Sequence, residues 1–285
     1  TAYEISLGLV GSEMCIRDRL IQGDTNTTLA AAIAANKLGI PIGHIEAGLR
    51  SYDWRMPEEY NRRLADHLST FLFAPTEHAK QNLLRENVMG YVHVTGNTVV
   101  DAVLHFYPIA VKRSNILPEI PFEEYALFTA HRAENVDNPA VLREFVGFLT
   151  ESPIPVVYPV HPRTRKRLKE NNLWDKLKNS KNVLLLPPVG YFDILVLMKN
   201  ARLIVTDSGG IVEEATAPQI RKPVLIARLS TERPEAIECG FAKLAGVTKN
   251  SLLEHTKYII ENYEEIIKNL PTKSPFGDGK TGERI

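Results

Sequence analysis

Three acidic side chains occupy places from which a proton could be moved. Asp24 lies in Gly23-Asp24-Thr25, just ahead of an Ala-rich run. Glycine allows a sharp turn at a strand end. Asp24 or Thr25 could also cap the helix that follows, and capping by itself would account for the motif. Glu46 sits in Gly43-His44-Ile45-Glu46-Ala47-Gly48-Leu49-Arg50, directly after an apolar run. Glu58 and Glu59 follow Pro57, where acids also serve a helix dipole. Carboxylates crowded at one sheet edge push at least one pKa upward, which suits acid/base work near neutral pH. Asp24, Glu46 and Glu58 are therefore the candidate acid/base group.

A second set of residues suits an anion. Thr206-Asp207-Ser208-Gly209-Gly210-Ile211-Val212-Glu213-Glu214-Ala215 follows an apolar run and opens a helical one. Ser208, Gly209 and Gly210 would offer free N–H groups at a helix start, a place that attracts phosphate. A Gly-rich turn of purely structural use has the same spelling. Glu214, one turn on, could accept from ribose hydroxyls. His131 and Arg132 follow another apolar run and could meet phosphate oxygens, although a lone His after a strand is more often structural. His161-Pro162-Arg163 reads as mainly structural. Arg228 and Thr231-Glu232-Arg233-Pro234-Glu235 add cations and acids after a later run. Gly277-Asp278-Gly279-Lys280-Thr281-Gly282 matches a dinucleotide-binding string but follows Ser274-Pro275-Phe276 and not a strand, so its context is wrong. No C-x-x-C or H-E-x-x-H spacing for a metal occurs.

The elements that must position these residues alternate. Strands are expected at Ile40–Ile45, Phe71–Ala74, Tyr91–Val94, Tyr125–Thr129, Pro155–Val160, Val183–Leu186, Leu203–Thr206 and Val224–Ile226. Helices are expected at Thr27–Lys37, Glu58–Leu68, Glu77–Glu86, Asn138–Leu149, Arg163–Asn171, Phe192–Lys199 and Ile211–Ala217. Nearly all-apolar strands alternating with helices indicate an α/β protein with doubly wound parallel sheets. The Pro-containing stretch Pro108–Pro121 breaks the rhythm and is the expected boundary between two units with a cleft between them.

The chain has 285 residues, enough for two ordinary domains, with 44% apolar and 24% charged residues. Its 34 Lys and Arg balance 34 Asp and Glu, which argues against a nucleic-acid or anionic-membrane coat. Two cysteines, Cys15 and Cys239, make no disulfide framework and fit a cytoplasmic protein. No apolar run is long enough to span a bilayer, Thr1–Val10 has no signal-peptide pattern, and the sequon Asn26-Thr27-Thr28 reads as chance. Residues Thr1–Arg19 do not lead into Leu20-Ile21-Gln22-Gly23 as a βα unit should. They resemble translated sequencing-adapter read-through and are expected to stand outside the fold.

Taken in order, these motifs resemble the non-hydrolysing UDP-N-acetylglucosamine 2-epimerases. The likeness runs from about Leu20 to the end. It includes Phe73-Ala74-Pro75-Thr76, Thr95-Gly96-Asn97-Thr98-Val99-Val100-Asp101-Ala102 and Pro275-Phe276-Gly277-Asp278-Gly279 beside the motifs above. The resemblance implies a glycosyltransferase-B-like fold of two Rossmann-like domains, with residues 20–113 on the sugar and acid/base side, 114–270 binding UDP, and 271–285 starting a return to the first domain. It implies reversible conversion of UDP-GlcNAc to UDP-ManNAc through a 2-acetamidoglucal, with no cofactor and no metal, in a homodimer, some bacterial members being activated by UDP-GlcNAc. Carried over, Asp24, Glu46 and Glu58 are the acid/base group and His131 contacts the diphosphate. Ser208, Gly209 and Gly210 hold phosphate, Glu214 holds the ribose, and Arg132 and Arg228 lie near the diphosphate.

The chain departs from the family pattern in places. A Gly-Thr-Arg-Pro-Glu-type loop and the closing helix of the family are missing, Val212 replaces a usual Gln, and Ala217-Pro218-Gln219-Ile220-Arg221 replaces a commoner Ser-Leu-Gly wording. The first domain is therefore expected to be incomplete and residues 1–285 weakly active or inactive. Three other readings share these motifs: a 2-epimerase of a UDP-2,3-diacetamido uronic acid, a glycosyltransferase-B type sugar transferase, and a non-catalytic nucleotide-sugar sensor.

Overall fold

The computed structural model describes residues 19–285. The segment expected to stand outside the fold lies, up to residue 18, outside the described residues; Arg19 already belongs to a strand. The chain forms two compact units. One contains residues 19–98 together with Phe276–Ile285, and the other is Val99–Pro275.

In the first unit, β1 (Arg19–Gln22), β2 (Ile42–Ile45), β3 (Phe71–Ala74) and β4 (Tyr91–Val94) form a parallel sheet in that order. Parallel neighbours need crossovers. These are α1 (Asn26–Lys37), α2 (Pro57–Leu68) and α3 (Glu77–Arg85). Thr25 caps α1 by accepting from the Thr28 amide, and Thr76 caps α3 by accepting from Ala79. Ile21, Ala32, Ala35, Ile42 and Ala65 pack together on one side of the sheet. Ala47, Leu72, Ala74, Ala79 and Leu83 form a neighbouring cluster. The returning segment is held by Phe276, which is fully buried and whose carbonyl accepts from the Asn97 amide at 2.6 Å. Gly96 has φ +91°, and a Cβ there would stand 2.6 Å from Thr281 Oγ1, so glycine is what lets this segment close on the unit.

The second unit contains β5 (Ala126–Thr129), β6 (Val156–Pro159), β7 (Val183–Leu186), β8 (Leu203–Thr206), β9 (Val224–Ile226) and β10 (Ala242–Leu244). All are parallel, in the order β10-β9-β8-β5-β6-β7. The chain starts in the middle at β5, winds outward through β6 and β7, then returns to β8 beside β5 and winds the other way. This is the doubly wound order with its reversal point between β5 and β8, where open α/β sheets take their ligands. Phe128 on β5 meets Tyr158 edge to face at 4.8 Å and Phe145 at 5.6 Å, within the buried cluster of this unit.

Eight expected strands appear within a residue or two of their expected ends. The boundary region differs. Pro108 does not break the chain but lies inside α4 (Thr98–Arg113), and the units part at Thr98 and Val99. Pro108 is on the exposed side of that helix, where water can satisfy the carbonyl its missing N–H leaves unbonded. The sequence reading also did not name as strands β1, of which Arg19 fell in the segment set aside, and β10, a short edge strand.

Candidate active site

Asp24 and Glu46 stand just beyond the C-terminal ends of the adjacent strands β1 and β2, which pair Gln22 with Ile45. Glu46 adopts φ +69°, a costly backbone for a glutamate. Its carboxylate accepts from Gln22 Nε2 at 3.1 Å and lies over Gly23, where a Cβ would be 3.9 Å from Glu46 Oε2. Thr25 does the helix capping, so Asp24 is left to pair with Arg62, whose Nη2 and Nε donate to Asp24 Oδ2 at 2.6 and 2.9 Å. Asn61 Nδ2 donates to the Asp24 carbonyl at 2.9 Å. Glu58 is half-buried in the first turn of α2, the helix that supplies Asn61 and Arg62. It has no recorded polar partner among the described residues.

Residues outside the candidate acid/base group hold this corner together. Glu59 is fully buried and accepts from the Ser51 amide at 3.0 Å and from Arg62 Nη1 at 2.9 Å. Arg62 therefore bridges Asp24 and Glu59. Beneath the Gly23 turn, His44 is buried between two acceptors: Nδ1 meets Asp66 Oδ1 at 2.7 Å and Nε2 meets the Gly23 carbonyl at 2.9 Å. Burial opposes charge on His44, but the Asp66 carboxylate and the Gly23 carbonyl outweigh it and raise the pKa. Burial likewise opposes charge on Asp66, and His44 and Arg50 reverse that and hold it below the ordinary carboxylate value. A cavity of about 480 Å³ on this unit, lined by Leu20, Phe71, His93 and Ile285 among others, contains none of the candidate acids.

In the second unit the sequence-derived residues gather at the reversal point. The loop after β5 carries His131 and Arg132, and the loop after β8 carries Asp207 and Ser208. Asp207 is buried and ties the two loops: it accepts from the backbone amides of His131 and Arg132 at 3.1 and 3.0 Å and from Asn135 Nδ2 at 3.1 Å. The His131 ring is 44% exposed and lies 5.8 Å from that of His161, which caps α7 (Pro162–Glu170) by accepting from the Arg163 amide. Desolvation, then His131 and Arg163, lower the His161 pKa.

Ser208 is the N-cap of α10 (Gly209–Thr216), and its side chain makes no capping bond. Beside that helix start, buried Glu232 collects three guanidiniums. Arg132 Nη2, Arg228 Nη1 and Arg233 Nη1 donate to it at 3.2, 2.7 and 2.6 Å. Arg233 Nε also donates to Glu213 at 3.1 Å. A Cβ on Gly209 would stand 2.8 Å from Arg233 Cζ, so a larger residue there would displace the Arg233–Glu232 pair. At Gly210 a Cβ would meet nothing nearer than Ser208 Oγ at 4.0 Å, and its φ is not left-handed. Internal packing does not demand glycine there, whereas a close ligand would. Glu214, within α10, is buried, and burial pushes its pKa up to about 7, the nearby Tyr191 hydroxyl opposing the rise. Arg132 and Arg228 thus meet on one buried carboxylate beside the start of α10. Asp207 and Glu232 were not singled out, although acids inside an Arg-rich or Gly-rich stretch are the available signal for such anchors.

Two Rossmann-like parallel units, one with arginines and a Gly-rich helix start at its reversal point, define a glycosyltransferase-B-like α/β protein. The family model described as UDP-N-acetylglucosamine 2-epimerase matches residues 19–285. The chain is 47% identical over 275 residues to the UDP-N-acetylglucosamine 2-epimerase of Methanocaldococcus jannaschii, covering 93% of this chain and 73% of that protein. It is 40% identical to the Escherichia coli enzyme of that name, with the same shares covered. Among solved structures, the M. jannaschii UDP-GlcNAc 2-epimerase in complex with UDP-GlcNAc and UDP has a TM-score of 0.87 at 46% identity, covering 99% of this chain and 77% of that one. The Neisseria meningitidis UDP-GlcNAc 2-epimerase bound to UDP-GlcNAc has a TM-score of 0.83 at 39% identity, covering 94% and 74%. This chain belongs to the UDP-N-acetylglucosamine 2-epimerase family.

Proposed function

We infer that this chain is an isomerase that interconverts UDP-GlcNAc and UDP-ManNAc by elimination and re-addition of UDP. The observation that carries the reading is the cradle at the β5/β8 reversal point, where a glycine-started helix faces arginines gathered on Glu232. Negative charge builds on the β-phosphate as UDP leaves, and helix N–H groups with nearby cations stabilise it. In this reading Ser208, Gly209, Gly210, His131, Arg132 and Arg228 take the diphosphate, and Glu214 takes the ribose diol.

Asp24, Glu46 and Glu58 supply the proton chemistry. A carboxylate removes the C2 proton, the C–H pair becomes the C1=C2 bond, and the C1–O pair leaves with UDP. Return of a proton to the other face of C2 and addition of the β-phosphate oxygen to C1 completes the change. The C2 proton is only weakly acidic, so the base must be positioned. Support comes from Asp24 and Glu46 at the ends of neighbouring strands, and from Arg62 and Gln22, which fix their carboxylates.

Incubation with UDP-GlcNAc in D2O tests the reading. Deuterium at C2 together with UDP-ManNAc is expected. Sugar transfer to an acceptor, or binding without exchange, overturns it. Asp24→Asn should lower C2 exchange about 100-fold or more and leave UDP affinity unchanged; equal loss of both would make Asp24 structural.

A further inference from the structure

His44 on β2 is 1% exposed, and both of its ring nitrogens meet oxygen. Nε2 is 2.9 Å from the Gly23 carbonyl, which can only accept, so Nε2 carries a proton. Nδ1 is 2.7 Å from Asp66 Oδ1. The other Asp66 oxygen accepts from Arg50 Nη2 at 2.7 Å and from the Gly48 amide at 3.2 Å. A carboxyl beside a guanidinium is ionised, so the proton shared with Nδ1 belongs to the ring. The contacts therefore make His44 an imidazolium. Burial opposes that charge, and Asp66, the Gly23 carbonyl and Glu46 outweigh it. Asp66 from α2 and Glu46 from the loop after β2 are the charged groups that face the ring. Its register neighbours, Ile21 on β1 and Leu72 on β3, carry no charge.

The Gly23 carbonyl belongs to the peptide that joins Gly23 to Asp24. That peptide is planar, so the direction of its C=O sets where the Asp24 Cα stands. Gly23 has φ +72°, and a glycine can turn such a peptide over at little cost. The donor beneath the carbonyl removes that freedom. Asp24 is then held on further sides by Arg62, which donates to its carboxylate at 2.6 Å, and by Asn61, which donates to its carbonyl at 2.9 Å. Glu46 Oε2 lies over the same glycine, so both acids share this footing.

We propose that His44 is a positioning residue for the proton chemistry: its imidazolium, anchored on Asp66, clamps the Gly23–Asp24 peptide and so fixes the Asp24 carboxylate for the C2 proton. The proposal rests on the reading of Asp24 as a member of the acid/base group. The partners of His44 named above belong to the first unit, whereas the diphosphate cradle is built from the second. The clamp therefore bears on kcat and not on UDP affinity.

Two substitutions divide the bonds of the ring. In His44→Asn the side-chain amide takes the place of Nδ1 and reaches Asp66 but not the Gly23 carbonyl. In His44→Gln the amide nitrogen takes the place of Nε2 and keeps a donor for that carbonyl. C2 exchange of UDP-GlcNAc in D2O, read as kcat and KM beside UDP affinity, compares them in the 285-residue chain. His44→Asn should lower kcat about 100-fold, the order of loss that a displacement of about 1 Å brings, with KM and UDP affinity unchanged. His44→Gln should keep kcat within about tenfold of the wild-type value. Nitrogen NMR of the wild-type protein at pH 7.5 should show both ring nitrogens of His44 protonated. A neutral ring overturns the proposal without any variant having to fold. Wild-type kcat in His44→Asn overturns it too, as does equal loss in both variants, which would mean that the ring only fills space. UDP affinity that falls together with kcat in His44→Asn points to general damage and also overturns it. A wild-type protein that binds UDP-GlcNAc but exchanges no C2 hydrogen overturns the acid/base reading beneath, and the proposal with it.

Discussion

Arg62 spans Asp24 and Glu59, and both ends of that bridge are consequential. Glu59 is fully buried, so a neutral residue at 62 leaves a buried charge short of its nearest partner. Arg62→Ala should destabilise the first unit by about 3 kcal/mol, the cost of breaking a buried pair, read by urea unfolding. Arg62→Lys keeps the charge, but an ammonium cannot span two carboxylates as a planar fork does. It should recover part of the stability and little of the C2 exchange. A lysine variant with full exchange would show that the fork does not set the Asp24 geometry. The sequence makes Asp24, Glu46 and Glu58 visible because each stands where a strand ends or a helix begins, although capping and dipole compensation use acids in the same places. It does not show which of them meets Arg62, because those partners are 38 positions apart and the choice is made by α2 packing on α1.

At the scale of elements, the start of α10 separates two glycines that read alike in sequence. Gly209 is crowded by its own protein, with Arg233 and Glu232 so close to its missing Cβ that an added methyl would displace them. Gly210 has room around it. Gly209→Ala should therefore lower both the melting temperature and UDP affinity, because the arginines must move. Gly210→Ala should leave the melting temperature unchanged or slightly raised, alanine being the better helix former, and reduce UDP affinity by about tenfold. Melting curves and UDP titrations of the two variants check this. An unchanged affinity in Gly210→Ala would remove that glycine from the phosphate cradle.

For the whole molecule, the buried His44–Asp66 pair couples stability to pH. His44 has a folded pKa raised above its unfolded value near 6.5. Its contribution is complete below pH 6.5 and is lost as the pH rises through the folded pKa. Asp66 has a depressed folded pKa. Its contribution is present above the unfolded value near 3.8 and is lost as the pH falls through the folded one. Asp137, partly exposed and held down to about 2 by hydrogen bonds from Arg163 and Arg167, adds little because water screens it. The wild-type stability minus that of His44→Gln should be larger at pH 6 than at pH 9. Urea midpoints across that range measure it, and a flat difference would mean that His44 is not charged. Among the described residues no helix is long and apolar enough to cross a membrane.

The sequence by itself determined the alternating elements, the parallel sheets and the candidate anion-binding stretch. Apolar runs of strand length, capping residues and Gly-rich turns are local signals, and local physics reads them. Pro108 misled because a proline is tolerated inside a helix when its side faces water, and exposure is not a local property. The tertiary structure alone decided that β8 lies beside β5. That pairing brings Asp207 to the amides of His131 and Arg132 and sets Arg132 and Arg228 on Glu232. Such contacts depend on strand order, which is set by how the whole unit buries its apolar surface and not by any neighbouring stretch of chain.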